Sequence, residues 1–554
     1  MTPATSSDEG PAREPKIVPG AIAEGFERAL DALERERALE RLFAYDHTLW
    51  SDSPDEIVNR LGWLTAPGDA SARVAEIDGL ASELASAGTR HIVLLGMGGS
   101  SLGAEAIRAI IPGAAPAPEM IVLDSTVPEQ VSSVRRRIDP GTTVFVVASK
   151  SGTTAEVAAL REYFWGETEA TCPPAGDRFV AVTDPGSPLA ELAAVQSFRA
   201  RFLNPPDIGG RFSVLSLYGM VPAGLAGIPI RDLLVAGARE VDACRAASRP
   251  RRCRAVVLGA LLGAAAVLGR DKLTLATSPA LAAFGLWAEQ LVAESTGKMG
   301  RGILPIAGEP PLPAERYGDD RIFATLRLAG DGPTPLDDIV GDLERDGHPH
   351  VDLVIETRAE LGAELYRWQI ATAVAGHLLG VHPFDQPDVE ATKIETRHLL
   401  ERLAAGEGLP DLPPEDVARE LRDRLPSASY LALMGYLGAS EELEEAIAEL
   451  RSEIGRRHGV ATTFGYGPRF LHSTGQYHKG GPTGGLHLQL LASERGALPI
   501  PGAAYGLGDL AYAQALGDRR ALSARDRTCL SLSTGGDPPA RVRQLARSIA
   551  ADDA

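Results

Sequence analysis

Short runs of valine, isoleucine and leucine alternate with longer helical patterns along most of this chain. Runs such as HIVLLG, TTVFVVA, RFVAVT and DKLTLAT are short and rich in valine, leucine and other apolar residues, which is typical of strands in a parallel sheet flanked by helices. The segments between them repeat apolar residues at helix spacing over about 10–20 residues. The pattern therefore predicts an α/β protein in which parallel sheets are flanked by helices.

The same pattern divides the chain into four regions. Residues 1–89 hold a polar, proline-rich lead-in, expected to be disordered, and a helical region. Two α/β units are predicted at 90–240 and 241–405, and a linker rich in glycine and proline leads into a smaller α/β unit at 406–554. The longest apolar stretch, AVVLGALLGAAAVLG, is shorter than the roughly 20 residues that a bilayer requires. We expect it to form a buried helix.

Composition narrows the choice of partners and compartment. The 55 Lys and Arg residues against 74 Asp and Glu give a formal charge of -19, which disfavours nucleic acid and anionic membranes as partners. The N-terminus lacks the basic and then apolar order of a signal peptide. The cysteines show no CxxC spacing, and no histidine cluster has the spacing of metal ligands. We therefore expect neither disulfides nor a zinc site, and a reducing cytoplasm as the compartment. These cysteines are Cys172, Cys244, Cys253 and Cys529.

Two loops follow predicted strands and precede predicted helices. The loop at 96–101 includes Gly99 and Ser100, and its glycines would let backbone N–H groups approach an anion at a helix N-terminus. A tight turn without a ligand is the alternative. The loop at 149–154 is here called the cup, because its hydroxyls could bind a phosphate group. It lacks the lysine spacing of a Walker motif, which favours a phosphomonoester over a nucleoside triphosphate as its ligand. The alternative is a helix N-cap with spare hydroxyls. The candidate phosphate ligands in the cup are Ser149, Lys150, Ser151, Thr153 and Thr154.

The segment DIGGRFS at 207–213 places Arg211 directly after two glycines. A guanidinium fixed by such a turn is suited to stabilise an oxyanion that exists only near a transition state. A structural salt bridge is the alternative.

A third candidate pair lies in the helical pattern AFGLWAEQLVAESTGK. Gln290 and Glu294 share one helix face at i, i+4 spacing. A partly desolvated carboxylate at the end of this helix could carry a proton between adjacent carbon atoms. A solvated glutamate at the helix end is the alternative.

The fourth segment, FDQPDVEATK at 384–393, contains Gln386 and, seven residues later, Lys393. A lysine on a charged helix is usually exposed to solvent. Its fixed offset from the FDQ triplet is what makes it a candidate.

Taken together, these segments resemble known sequences. The loops at 96–101 and 149–154 look like the sugar isomerase domain, a flavodoxin-like unit that binds phosphosugars. DIGGRFS, ESTGK and the FDQ segment resemble motifs of the phosphoglucose isomerase family in the same order, over about residues 90–400. The resemblance implies two flavodoxin-like sugar isomerase domains and interconversion of glucose 6-phosphate and fructose 6-phosphate through an enediolate, without metal or organic cofactor.

The resemblance also implies roles for individual residues. Arg211 would stabilise the enediolate, Glu294 would be the catalytic base, and Gln290 and Gln386 would contact the phosphosugar. Lys393 would assist ring opening. A homodimer with sites near the subunit contact is a further implication.

One feature of the family is missing. Most members place a Gln-His pair, whose histidine helps to open the sugar ring, between the catalytic glutamate and the lysine, but the corresponding stretch at 315–321 has no histidine. His472 or His478, in the polar loop LHSTGQYHKGG, and Arg321 are the predicted replacements, and His382 is a weaker one. That loop could instead only pack between units.

Three further readings stay open. The segment HSTGQYHKGGP resembles a subfamily sometimes fused to transaldolase, but no region of transaldolase length precedes the isomerase-like part, so that activity is not expected. Mannose 6-phosphate could be an additional substrate. A phosphosugar-binding regulator would need the cup but not Arg211, Glu294 and Lys393 together.

Overall fold

The computed structural model describes residues 14–114, 116–410, 416–492 and 497–551. The predicted disordered lead-in falls mainly on residues 1–13 and the predicted linker includes 411–415, and both of these stretches lie outside the described residues.

The described residues form strands and helices in alternation. The strands are β1 (Lys16–Val18), β2 (His91–Leu95), β3 (Glu119–Leu123), β4 (Thr143–Ala148), β5 (Phe179–Thr183), β6 (Ala200–Leu203), β7 (Lys272–Thr277), β8 (Leu304–Ala307), β9 (Arg321–Leu328), β10 (His350–Ile355), β11 (Tyr430–Tyr436), β12 (Ala461–Tyr466), β13 (Gly485–Leu491) and β14 (Thr528–Ser533). The helices are α1 (Ala23–Arg35), α2 (Ala38–Phe43), α3 (Ala66–Ser71), α4 (Val74–Ser86), α5 (Leu102–Ile110), α6 (Pro128–Arg137), α7 (Ala155–Thr171), α8 (Pro188–Val195), α9 (Leu217–Leu225), α10 (Ile230–Ala246), α11 (Arg254–Val267), α12 (Phe284–Thr296), α13 (Val340–Arg345), α14 (Leu361–Leu379), α15 (Val389–Ala404), α16 (Val417–Arg424), α17 (Glu441–His458), α18 (Gly475–Gly480), α19 (Leu507–Ser523) and α20 (Pro538–Ala550).

The first sheet has the strand order β3-β2-β4-β5-β6, and all its strands are parallel. β4 and β5 are buried along their whole length because helices cover both faces. The chain moves to opposite sides of β2 for β3 and β4, so the strand order reverses between β2 and β4. The loops at 96–101 and 149–154 follow these two strands and therefore border the crevice where α/β sheets bind ligands.

The second sheet has the order β1-β10-β9-β7-β8. Its strands β7 to β10 are parallel, and β1 from the helical N-terminal region pairs antiparallel with β10 at the edge. Helix α12 follows β7 and carries Gln290 and Glu294. Each of its residues from Trp287 to Thr296 is buried, so this helix can place polar side chains in the interior.

The third sheet has the order β12-β11-β13-β14 and is parallel throughout. Helix α17 is capped at its N-terminus by the Ser440 hydroxyl and ends at His458, and the Gly459 that follows has a φ of 65°, which suits a glycine C-cap. The segment after β12 leads through His472 into the short helix α18.

These sheets and their flanking helices confirm the predicted α/β class. The apolar stretch at 255–269 forms most of α11, which is buried against α14, as predicted. No helix among the described residues is long and apolar enough to cross a membrane.

Candidate active site

Arg211 lies in the interior with its guanidinium fully engaged. Its Nε donates to the Ser295 hydroxyl at 3.0 Å, and Nη2 donates to the carbonyls of Pro383 at 2.6 Å and Asp385 at 2.7 Å. Nη1 donates to Oε1 of Gln386 at 2.9 Å. These contacts fix the orientation of the guanidinium before any ligand binds, as electrostatic preorganisation requires.

The carboxylate of Glu294 is the charged partner of this guanidinium. Arg211 Nη1 lies 3.3 Å from Glu294 Oε1, and the side chains are only 3% and 9% exposed. The other oxygen, Oε2, accepts a hydrogen bond from Gln290 Nε2 at 3.2 Å. The i, i+4 spacing on α12 therefore brings Gln290 and Glu294 together as predicted.

His472 reaches this group from the part of the chain that forms the third sheet and its helices, here called the third unit. Its backbone carbonyl accepts a hydrogen bond from Gln290 Nε2 at 2.7 Å. Its Nε2 lies 2.7 Å from Oε1 of Glu156, a buried residue in the first turn of α7. Burial lowers the pKa of His472, but the charge and hydrogen bond of Glu156 outweigh it and raise the pKa above its usual value.

The glycines of the first loop allow close approach of these segments. Gly98 has a φ of 53°, and a Cβ there would lie 2.7 Å from the His472 carbonyl oxygen. A Cβ on Gly99 would lie 2.0 Å from the Gly210 carbonyl oxygen, next to Arg211. Ser100 is half-buried in the same loop. A side chain at Gly98 would push the loop away from His472, and one at Gly99 would push it away from Gly210.

The cup has four hydroxyl groups at the N-terminal end of α7. Ser149 Oγ lies 3.1 Å from Thr154 Oγ1, and Ser151 Oγ lies 2.9 Å from Thr153 Oγ1. Backbone N–H groups of Gly152 and Thr153 point at the hydroxyls of Ser149 and Ser151. Ser151 and Thr153 are exposed, so their hydroxyls are accessible to an anion at the helix end.

Lys150 is oriented differently from the other cup residues. Its ammonium donates to Asp184 and, at 2.7 Å, to the carbonyl of Pro206. The ammonium is thus paired with a carboxylate in this structure, and its role as a phosphate ligand stays a prediction.

Lys298, the last residue of the ESTGK segment, is a buried lysine to which the sequence pattern assigns no role. Its ammonium donates to Asp385 Oδ1 at 2.6 Å and to the His382 carbonyl. Burial and the neighbouring charge of Arg211 lower its pKa to about 7, against the opposing effect of Asp385. It ties α12 to the segment that holds Arg211.

The other candidates lie in different settings. Lys393 is half-exposed on α15 and pairs with Glu390 at 3.3 Å, although its charge is close enough to oppose protonation of His472. His478 packs its ring beside Tyr430 and His487, and neither ring nitrogen has a hydrogen-bond partner among the described residues. Arg321 is fully buried in an ion pair with Glu309 at 2.8 Å.

His382 serves the FDQ segment through local contacts. Its Nδ1 accepts a hydrogen bond from the Phe384 backbone at 3.0 Å, and its Nε2 lies 3.1 Å from the Asp55 carbonyl. Both ring nitrogens are therefore engaged with backbone.

Sequence reasoning missed Glu156. It stands two residues after Thr154 at the start of α7, and that position next to the cup was the available signal. Its partner is 316 residues away in the chain, so no local pattern could pair them. Within the part of the chain that the structure describes, no group of three or more His, Cys, Asp and Glu residues could hold a metal ion.

A hydroxyl cup at the switch point of a parallel α/β sheet, linked through Glu156 and His472 to a buried arginine and carboxylate, defines an aldose–ketose isomerase acting on phosphosugars. Comparison with known proteins agrees with this class. Residues 78–301 match the family model described as phosphoglucose isomerase. The chain is 31% identical over 358 residues to glucose-6-phosphate isomerase of Symbiobacterium thermophilum, covering 56% of this chain and 80% of the relative.

Further relatives extend the match. Glucose-6-phosphate isomerase of Parabacteroides distasonis is 30% identical over 393 residues, covering 62% of this chain and 87% of that protein. A hypothetical protein of Thermus thermophilus has a similar crystal structure, with a TM-score of 0.60, 25% identity and coverage of 69% and 99%. Glucose-6-phosphate isomerase of Chlamydia trachomatis shares the fold, with a TM-score of 0.57, 20% identity and coverage of 72% and 89%. The chain belongs to the phosphoglucose isomerase family.

Proposed function

We propose that this protein interconverts glucose 6-phosphate and fructose 6-phosphate through an enediolate. The observation that carries the proposal is the buried pair of Arg211 and Glu294, 3.3 Å apart. The helix that begins at the cup is linked to this pair through Glu156, His472 and Gln290. A carboxylate and a guanidinium held together away from solvent supply a base for one carbon-bound proton and a positive charge for the oxyanion that follows.

In the proposed reaction the cup binds the phosphate through its hydroxyls and backbone N–H groups. Glu294 removes the proton from C2 of the aldose and returns it to C1, and it acts in reverse for the ketose. Arg211 stabilises the negative charge that develops on the enediolate oxygen. Gln290 and Gln386, which contact Glu294 and Arg211 respectively, orient these two groups and are placed to bind sugar hydroxyls.

Ring opening is assigned to His472. Its contact with Glu156 favours the imidazolium form, which can donate a proton to the ring oxygen. His478 has less support, because burial and the nearby charges of His487 and Lys479 lower its pKa well below the usual value and keep it neutral. Lys393 stabilises the emerging charge in this proposal.

A regulator without catalysis is disfavoured. Ligand binding at the cup needs neither a buried arginine with six polar contacts nor a glutamate held against it. Activity on mannose 6-phosphate, a cytoplasmic location, a homodimer and the absence of nucleic-acid partners stay predictions from the sequence.

A coupled assay tests the proposed function. Purified protein is given fructose 6-phosphate, and glucose 6-phosphate is detected by its oxidation with a dehydrogenase, with and without excess chelator. We expect full activity in chelator, because the proposed steps use only side chains. If no glucose 6-phosphate forms, the proposed function is refuted. If the chelator abolishes activity and a divalent cation restores it, the proposed metal-independent route is refuted.

A further inference from the structure

The third unit holds the loop at 383–388 by a carboxylate that the established family motif leaves without a role. Asp388 Oδ1 accepts hydrogen bonds from Arg525 at 3.0 Å from Nε and 2.7 Å from Nη2. Its Oδ2 accepts from Gln476 Nε2 at 2.7 Å, and its backbone N–H donates to Gln476 Oε1 at 3.0 Å. Both oxygens of Asp388 are thus bound by the third unit, in an arrangement here called the clasp.

The joint around the clasp is tightly packed. Gln476 is fully buried, and its Nε2 also donates to the Gly297 carbonyl at 3.0 Å. A Cβ on Gly480 would lie 2.2 Å from Asp388 Oδ2. The backbone N–H of Gly300 donates to the Gly480 carbonyl at 2.9 Å. The third unit therefore contacts the loop at 383–388 and the end of α12 simultaneously.

The loop held by the clasp is the same loop that orients the catalytic arginine. Three of its groups accept hydrogen bonds from the Arg211 guanidinium, and these are the carbonyls of Pro383 and Asp385 and the side chain of Gln386. Gln386 is exposed, so little packing fixes it apart from its neighbours in the loop. A shift of this loop would move the guanidinium relative to Glu294.

We propose that Asp388, Gln476 and Arg525 are positioning residues, through which the third unit sets the orientation of Arg211. None of them needs to touch the substrate. The effect on catalysis rests on the proposed isomerase function, whereas the ordering of the loop by the clasp does not.

The central variant is Arg525→Ala, and Arg543→Ala is the matched control. Arg543 also belongs to the third unit and pairs with the carboxylates of Glu445 and Glu449, but on the surface of the unit. We expect Arg525→Ala to lower kcat for fructose 6-phosphate about tenfold with KM within about twofold, because misplaced catalytic groups lose rate while the cup is unchanged. Arg525→Lys, which keeps the charge and one of the two hydrogen bonds, should recover part of kcat.

Two further readouts separate positioning from general destabilisation. The inhibition constant of inorganic phosphate, which needs only the cup, should be unchanged in Arg525→Ala. That of 5-phosphoarabinonate, whose carboxylate mimics the enediolate, should rise about tenfold. Hydrogen exchange of peptides that contain residues 383–388 should be faster, and exchange of the peptides from α7 should match the parent.

The outcomes are distinct. Unchanged kcat and unchanged loop exchange in Arg525→Ala would overturn the proposal, as would equal weakening of both inhibitors. If Arg525→Ala does not fold, the same measurements on Arg525→Lys decide, and parental values there overturn the proposal. If the parent lacks isomerase activity, the proposed function fails, and loop exchange alone then tests whether the clasp orders the loop.

Discussion

At the scale of single residues, the proposed reaction depends on the ion pair of Arg211 and Glu294, in which burial strengthens the effect of each charge on the other. Arg211 and Glu294 are nearly inaccessible to water, so each charge strongly affects the other. Removing the carboxylate charge would leave Arg211 with its hydrogen bonds to backbone carbonyls, and the local fold would survive. The base function of Glu294 can therefore be tested without dismantling the site.

We expect Glu294→Gln to lower kcat about 10²-fold or more with little change in KM, since a base is lost while the phosphate contacts remain. Steady-state kinetics with fructose 6-phosphate measures both values. Glu289→Gln is the matched control, because Glu289 is equally buried on α12 but accepts a hydrogen bond from the Ala307 backbone away from Arg211. Near-parental kcat in Glu294→Gln would show that another group is the base.

The pair of His472 and Glu156 links protonation to activity and stability. Burial opposes both charges, but mutual attraction raises the pKa of His472 and lowers that of Glu156. The stabilisation by His472 is complete below its unfolded pKa and is lost as the pH rises through its folded pKa. That by Glu156 is present above its unfolded pKa and is lost as the pH falls through its folded value.

Glu156→Gln should therefore shift the alkaline limb of kcat/KM for fructose 6-phosphate to lower pH, because the charge that raises the pKa of His472 is lost. Without the carboxylate, His472 loses its proton at lower pH and can no longer donate it to the ring oxygen. The measurement is a pH–rate profile of parent and variant. Glu162→Gln, which changes a more exposed glutamate of α7, is the control and should leave the profile unchanged. If the alkaline limb does not move in Glu156→Gln, His472 is not the group that opens the ring.

At the scale of elements, the sequence predicted most strands but missed β1, β3 and β6, three strands at sheet edges. β4 and β11 are buried at every position, so their sequences are continuous apolar runs. β1, β3 and β6 expose part of their length, and their short mixed sequences KIV, EMIVL and ARFL lack that signal. The class and the central strands were thus predictable, while the complete strand order required the structure.

The candidate site was predictable to a similar extent. Motifs with a fixed local spacing, such as Gln290 with Glu294, were found because a helix brings i and i+4 together. The contacts of Glu156 with His472 and of Asp388 with Arg525 join residues that are distant in sequence. They depend on how the third unit packs, which no local pattern encodes.

The cup gives a prediction at the level of one loop. Ser151→Ala combined with Thr154→Val should raise KM for fructose 6-phosphate severalfold with little effect on kcat, because phosphate contacts act alike in the ground and transition states. Initial-rate kinetics on the double variant checks this. Ser82→Ala, on the exposed face of α4, is the control, and an unchanged KM in the double variant would mean that the phosphate binds elsewhere.

At the scale of the whole molecule, the third unit is packed against the site. Arg469 donates to Asp124 at 2.7 Å, and the Ser125 hydroxyl donates to the Gly467 carbonyl at 3.3 Å, so the segment after β12 is held against the first unit. Arg451 donates to the carbonyls of Ala307 and Gly308 in the second unit. The unit can therefore deliver His472 in a defined position.

His472→Ala should lower turnover of cyclic fructose 6-phosphate by about 10²-fold, because a general acid is lost. It should still exchange the C2 proton of erythrose 4-phosphate, an aldose phosphate that needs no ring opening. Coupled kinetics and proton NMR measure the two reactions. His478→Ala is the comparison and should keep both, and parental turnover of cyclic substrate by His472→Ala would leave the third unit without a catalytic histidine.

The central claim is an enediolate formed by Glu294, and isomerisation in deuterium oxide tests it most directly. The parent protein is given fructose 6-phosphate in that solvent, and the glucose 6-phosphate formed is examined by NMR for deuterium at C2, beside Glu294→Gln. The proton that Glu294 removes from the sugar can exchange with solvent deuterium while the Glu294 carboxyl holds it. The account therefore predicts deuterium at C2 of the product from the parent, and strongly reduced product from the variant. Product still free of deuterium after prolonged equilibration, or equal rates from parent and variant, would contradict it.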